Sequence, residues 1–257
     1  MSRFAAFEHP NFRRYFVGQV ISSIGSWFQS LAVTWLVLDV TGRSDSLGLA
    51  VALQFLPMLV LGAPAGVVAD KVDNRRLLLG TSALSAALAL VFGIVVSAGV
   101  TSLWVVYALT FLFGVILAFE RPAMQALLFQ LVGRETLPSA VAANSTIMSM
   151  SRLIGPAIGG VMIATTGLAS CFYANALSYV VVLGALATID RRRMVPRPLA
   201  TRAKGGIREA LAYVRSRPDV RRPLLVMTVV GTVALNFGTT IPSMVRFGFD
   251  RGAGAVG

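Results

Sequence analysis

Seven long apolar segments constrain the fold of this sequence more than any other feature. They cover residues 15–40, 47–69, 77–97, 102–132, 139–166, 168–189 and 224–245. Each supplies the roughly 20 apolar residues that a helix needs to cross a hydrocarbon core about 30 Å thick. In lipid, a single segment satisfies its backbone hydrogen bonds only by forming a helix. The sequence therefore predicts an all-α membrane protein.

Composition supports the same class and argues against an enzyme. Hydrophobic residues make up 56% of the 257 residues and charged residues 13%, against about 45–50% and about 25% in soluble domains. Cys171 and His9 are the only residues of their types, which excludes an intrachain disulfide and argues against a Cys/His metal site and a Ser–His–Asp triad. The sequence has no P-loop and no cluster of catalytic residues, so we expect neither enzyme activity nor a cofactor.

Lysine and arginine are distributed unevenly along the chain. The N-terminal segment carries Arg3, Arg13 and Arg14, and residues 190–222 carry eleven of the 23 basic residues. The positive-inside rule then predicts a multi-pass protein of the plasma (inner) membrane with a cytoplasmic N-terminus. The net charge of +12 also raises nucleic-acid binding as an alternative. Basic segments beside membrane spans are attracted to anionic lipid, so the predicted partner is the lipid bilayer and not nucleic acid.

The order of the spans predicts three regions. Residues 1–189 form a six-helix transmembrane bundle, 190–222 a basic cytoplasmic connection, and 223–257 the first span of an incomplete C-terminal bundle. In the connection, Ile207, Leu211 and Val214 share one face of a helical pattern, which indicates an amphipathic helix on the inner membrane surface or a solvated linker helix. Spans two and five each carry a Gly/Pro cluster, so the bundle is predicted to contain two three-helix repeats.

The loop between spans two and three carries an acidic and basic motif. The positions that fit the pattern G-x-x-x-D-[RK]-x-G-x-[RK]-[RK] are Gly66, Asp70, Lys71, Arg75 and Arg76. This stretch resembles the signature of the major facilitator superfamily. Asp73 stands where the family has a loop glycine, beside Asn74, a residue type that tolerates a left-handed backbone. The resemblance implies a cytoplasmic gating loop that latches two halves together, with Asp70 facing the positive end of a helix in the other half.

Two further stretches carry a resemblance. In span five, the positions Gly155, Pro156, Gly159 and Gly160 resemble the core of the superfamily's antiporter motif. That implies a pliable helix contact typical of exporters, and generic close packing of helices is the alternative. Residues 119–145 resemble the enterobactin-exporter and macrolide-efflux branch. The branch implies secondary active, proton-coupled efflux of small hydrophobic or amphipathic compounds, drug-like or siderophore-like, by alternating access.

Three charged residues, Glu120, Arg121 and Arg152, fall within predicted spans at similar depth near the midplane. A charge at that depth pairs or faces a water-filled cavity, because isolation in lipid is costly. We hypothesise that Arg152 pairs with Glu120, or that Glu120 is a protonatable cavity group tuned by Arg152; a purely structural ion pair is the alternative. Other polar residues either line a substrate path or hydrogen bond between helices; they are Gln19, Gln29, Gln54, Asn144 and Asn175.

The sequence ends after seven spans, whereas the superfamily that it resembles has twelve spans in two halves. We therefore expect an N-terminal half-transporter. Its expected partners are the missing C-terminal half of the same transporter, a small-molecule substrate and protons. The alternative is a truncated, transport-inactive half-transporter or a membrane assembly component.

Overall fold

The computed structural model describes residues 5–99, 102–196, 207–233 and 237–249. The α-helices are α1 Pro10–Thr41, α2 Ser44–Lys71, α3 Asn74–Ser97, α4 Leu103–Thr166, α5 Leu168–Ala187, α6 Ile207–Ser216, α7 Pro218–Val233 and α8 Phe237–Gly248. Short 3-10 helices cover Ala5–Glu8 and Arg191–Arg193. Helices α1 to α5 are each long and apolar enough to cross a membrane. The prediction of an all-α membrane protein is confirmed.

Helix α4 contains two spans joined by an elbow at Gly133. This glycine has φ 73° and ψ −177°, a conformation outside the helical region that glycine reaches at no steric cost. It divides α4 into α4a (103–132) and α4b (134–166). The predicted start of span five at residue 139 was therefore too late. Arg134 and Glu135 are exposed, and polar residues at the membrane surface lower the hydropathy without interrupting the helix.

The region of the predicted seventh span contains two helices. α7 begins at Pro218, inside the predicted connection, and α8 ends at Gly248. Residues 234–236 between them lie outside the described residues, so a single span here stays a prediction. α8 contacts the bundle through Val245, which packs against Leu31 and Trp35 of α1. Arg246 Nη2 lies 3.3 Å from Asp39 Oδ1 at the end of α1.

The predicted amphipathic helix coincides with α6 in position. α6 covers Ile207–Ser216, and Val214 is half-buried while its neighbours Tyr213 and Arg215 are exposed. The side chains of residues 207–211 and the whole of 197–206 lie outside the described part of the chain. Whether this helix lies on the membrane surface therefore stays a prediction.

Glycines bring helices of the two predicted repeats into close contact. A Cβ on Gly155 of α4b would collide with Trp27 of α1, and a Cβ on Gly114 of α4a would collide with the backbone of Gln54 in α2. Small residues allow such close approach between membrane helices. α1 packs on α4b, and α4a packs on α2. In two equivalent three-helix units, α1 would correspond to α4a and α2 to α4b, so these two contacts would correspond to each other.

A buried polar contact joins α1 to α5. Asn175 Nδ2 donates to Gln29 Oε1 at 2.7 Å, and the Ser178 hydroxyl donates to the Asn175 backbone oxygen at 2.7 Å. Gln29, Asn175 and Ser178 are all buried, so these bonds satisfy groups that lipid would leave unpaired. Gln29 and Asn175 therefore hydrogen bond to each other between two helices, as one of the two alternatives describes.

The close approach at Gly114 predicts a cost for any added side chain. In Gly114→Ala, the new Cβ would lie 2.9 Å from the backbone carbonyl carbon of Gln54, and a helix backbone cannot give way cheaply. We expect destabilisation of about 1–3 kcal/mol, measured as a lower thermal unfolding temperature of the detergent-purified protein.

Gly62→Ala is the matched control, because Gly62 lies inside α2 with open space around it. That substitution should leave stability unchanged or raise it by up to about 1 kcal/mol, as alanine favours the helix. Equal unfolding temperatures for the two variants would contradict the contact between α4a and α2.

Candidate functional site

A cavity of about 230 Å³ lies between α1, α2 and α4a, with contributions from α4b and α5. Its lining residues are Gln19, Ser22, Ser23, Ser26, Trp27, Ser30, Gln54, Phe113, Leu117, Glu120, Arg121, Met124, Met148 and Tyr179. A smaller cavity of about 40 Å³ shares Ser26, Ser30, Gln54 and Phe113 with it and continues along α1 to Thr34. One face of α1 therefore forms a wall common to both cavities.

The walls of the larger cavity differ in chemistry. The α1 wall is mostly polar, formed by Gln19 and four serines with Trp27, whereas α4a contributes the apolar Phe113, Leu117 and Met124 beside the charged Glu120 and Arg121. Sequence analysis named Gln19 and Gln54 but missed the serines. Their signal was present, because Ser22, Ser26 and Ser30 recur every four residues, which places them on one helix face.

Glu120 and Arg121 both line this cavity. Glu120 lies about 18 Å from the elbow end of α4a at 1.5 Å per residue, deep within the span. Its Oε2 atom is buried and has no hydrogen-bond partner in the described part of the chain. Arg121 is exposed.

Arg152 does not pair with Glu120 among the described residues. Its guanidinium carbon instead lies 6.0 Å from the centroid of the Trp27 ring, a cation–π geometry. α4b begins soon after Gly133, so Arg152 is roughly 27 Å from the elbow end of its helix, against roughly 18 Å for Glu120. Arg152 therefore reaches the cavity only indirectly, through Trp27, which lines it. A similar depth in the membrane stays a prediction.

The antiporter-like stretch lies along the contact of α4b with α1. Gly155 faces Trp27, and a Cβ on Gly159 would lie 3.3 Å from Leu31. Gly160 is buried and Pro156 half-buried. On the same helix, Asn144 is buried and its Oδ1 atom has no hydrogen-bond partner within the described ranges, but it does not line either cavity.

The loop between α2 and α3 turns without a left-handed residue. Val72 (φ −109°) and Asp73 (φ −65°) are extended, and Asn74 is the first residue of α3, so the left-handed conformation considered for Asn74 is not adopted. Asp73 caps α3 by accepting a hydrogen bond from the Arg76 backbone N–H at 3.1 Å. Its carboxylate also lies 3.0 Å from the guanidinium of Arg191. The aspartate thus replaces the family's glycine with a helix cap.

Arg75 ties the same loop to the end of α5. Its Nε donates to the Leu186 carbonyl at 2.6 Å and its Nη2 to the Ala187 carbonyl at 2.8 Å. The last carbonyls of a helix have no partner within the helix, and a cation there also complements the helix dipole. The other motif positions are at the end of α2: Asp70 and Lys71 are exposed, and Gly66 is half-buried with open space around it.

His9 and Asn11 anchor the start of α1 at this face of the bundle. The His9 ring lies 3.2 Å from the Thr136 hydroxyl beside the elbow. Asn11 exchanges two hydrogen bonds with the Asp190 backbone, at 2.8 and 3.0 Å. Sequence analysis missed these contacts, since they join residues more than 120 positions apart and follow no local pattern.

A model of the transmembrane secretion effector family, a major facilitator family, matches residues 1–257. The chain belongs to this family. The family and the curated relatives are membrane transporters rather than enzymes. The superfamily resemblance identified from the loop at 66–76 is therefore confirmed.

Three relatives illustrate the range of the match. The staphyloferrin A transporter of Staphylococcus aureus is 31% identical over 66% of this chain and 43% of its own length. Macrolide efflux protein A of Streptococcus pyogenes is 29% identical over 68% of this chain and 42% of its own. The enterobactin exporter EntS of Salmonella typhi is 28% identical over 93% of this chain and 55% of its own. The chain spans about half the length of the curated relatives it matches.

The contact of Arg75 with α5 predicts a local effect on hydrogen exchange. In Arg75→Lys the charge remains, but lysine lacks the planar guanidinium group whose two N–H donors contact both carbonyls. We expect the amides in the last turn of α5 to exchange about tenfold faster, as one charged hydrogen bond is lost. Hydrogen exchange followed by mass spectrometry measures this change.

Arg76→Lys serves as the control, because the Arg76 side chain is exposed and its Nε lies 3.8 Å from Asp73. Exchange at the end of α5 should be unchanged in this variant. If both substitutions accelerate exchange equally, the capping role of Arg75 is wrong.

Proposed function

We propose that this chain acts in secondary active efflux, exporting small hydrophobic or amphipathic compounds in exchange for protons. The observation that carries the proposal is the Glu120 carboxyl, which lines the larger cavity and has an Oε2 atom without a partner among the described residues. The names of three relatives, a staphyloferrin A transporter, a macrolide efflux protein and an enterobactin exporter, support export of small molecules.

Glu120 is the proposed coupling group. An ionised carboxylate deep in a membrane bundle is tolerated only when water, a cation or a hydrogen-bond donor reaches it. When the cavity opens to one side, the carboxyl takes up a proton; when it opens to the other, the proton leaves. Exchange of that proton for the compound being exported links efflux to the proton gradient.

The contacts of α1 support alternating access as the mechanism. Gly155 and Gly159 of α4b approach α1 closely at Trp27 and Leu31, so the two helices can slide without separating bulky side chains. Asp70 and Lys71 are exposed at the end of α2, in the loop that we propose latches the other half at the cytoplasmic face. In this proposal the N-terminus is cytoplasmic and the membrane is the plasma (inner) membrane, as the basic residues predict.

Glu120→Gln tests the coupling directly. Glutamine preserves the shape and polarity of the side chain but cannot carry a proton in and out, so pH-driven transport should stop while the protein remains inserted. The measurement is uptake of a macrolide, enterobactin or staphyloferrin A into inverted membrane vesicles from cells expressing the gene that encodes this chain, with and without an imposed pH gradient or an uncoupler.

Glu135→Gln is the matched control, since Glu135 is an exposed glutamate of α4b outside both cavities. It should transport like the unmodified protein. Normal pH-driven uptake by Glu120→Gln would sink the coupling role. Absence of transport by the unmodified protein for all three compounds would argue against the efflux function itself.

A further inference from the structure

Serines form a ladder along the cavity wall of α1. Ser22, Ser26 and Ser30, referred to as the serine ladder, all line the larger cavity. Residues four apart lie one above the other on a helix, so the hydroxyl groups form a row about 12 Å long. Thr34, one further turn along, lines the smaller cavity. The row thus runs along the full polar wall.

Two of these hydroxyls have no hydrogen-bond partner among the residues that the structure describes. A serine or threonine in a helix commonly donates to the carbonyl one turn earlier, and Thr34 does so, to the Ser30 oxygen at 2.9 Å. Within the described ranges, the side chains of Ser22 and Ser30 take part in none of the bundle's hydrogen bonds, although Ser22 is only 6% exposed. A membrane-embedded hydroxyl without an internal partner is free to bind a ligand in the cavity.

The α4 side of the cavity is largely apolar. Phe113, Leu117 and Met124 of α4a and Met148 of α4b line it, with Glu120 and Arg121 of α4a as its charged residues. Methionine adapts its shape to irregular apolar surfaces, so these side chains can pack against apolar ligand groups of different shapes. A ligand between the two walls therefore needs hydrogen-bonding groups along one edge and an apolar surface along the other.

We propose that the serine ladder is a specificity determinant of the substrate site. It selects elongated amphipathic compounds that carry two or more hydroxyl, carbonyl or amide groups spaced along one edge. The inference rests on the proposed function and deepens it by assigning substrate recognition to α1, while Glu120 keeps the proton. Each serine contributes a neutral hydrogen bond, so the serine ladder distinguishes ligands by the spacing of their polar groups, whereas Glu120 and Arg121 are the charged groups of the same cavity.

The test compares two monocations that differ in hydrogen-bonding groups. Erythromycin carries hydroxyl and carbonyl groups on an apolar ring, whereas tetraphenylphosphonium is apolar throughout. In the double variant Ser22→Ala/Ser30→Ala, two hydrogen bonds are lost, and we expect the Kd for erythromycin to rise about tenfold. The Kd for tetraphenylphosphonium should stay unchanged. Both are measured by equilibrium binding to the purified full chain in detergent.

Ser145→Ala/Ser149→Ala is the matched control, because this pair lies one turn apart on α4b, exposed and outside both cavities. It should bind both probes normally, and Ser30→Thr, which keeps a hydroxyl, should retain erythromycin affinity. Unchanged erythromycin binding in the ladder variant, equal weakening of both probes, or no erythromycin binding by the unmodified chain would each overturn the proposal.

The two proposals fail separately. If Glu120→Gln stops pH-driven transport while the ladder variant binds erythromycin normally, efflux stands and the serine ladder is wrong. If the ladder variant loses affinity for erythromycin alone, but transport by the unmodified protein does not depend on the pH gradient, substrate recognition by α1 stands and proton coupling is wrong.

Discussion

The close approach of α1 to α4b and α5 is the contact on which the rest of the bundle depends. Gly25 of α1 admits the buried pair Asn175 and Ser178 of α5, and Gly155 of α4b admits Trp27. In lipid there is no hydrophobic force that drives helices together, so packing and hydrogen bonds must hold them. These contacts turn one face of α1 toward α2 and α4a, and that face becomes the polar wall of the cavities.

Hydropathy predicted the six helices of the bundle because the bilayer imposes one length and one backbone solution on every span. It misplaced the start of α4b, since a single glycine at 133 ends one helix and begins the next. The signature residues predicted the family, but not that Asp73 would cap α3 and contact Arg191. The contact between Asp73 and Arg191 depends on where α5 ends in space, and no local sequence pattern predicts that position.

The candidate site was predicted in part. Glu120 and Arg121 line the larger cavity as polar residues inside spans should, whereas Arg152 contacts Trp27. Depth alone could not separate these cases, because the direction of a side chain depends on helix rotation as well as on position. The serine ladder was overlooked because serine is nearly neutral in hydropathy, so a periodic row of serines hardly alters an apolar profile.

The elbow at Gly133 leaves no slack between two spans. A loop of several residues would let α4a and α4b tilt independently, but one extended residue spans only about 3.5 Å. The Val195 N–H also donates to the Gln130 carbonyl at 2.8 Å, which fastens the segment after α5 beside the elbow. A tilt of α4a that displaces Glu120 therefore carries the adjoining end of α4b with it. We therefore expect α4a and α4b to move together about Gly133.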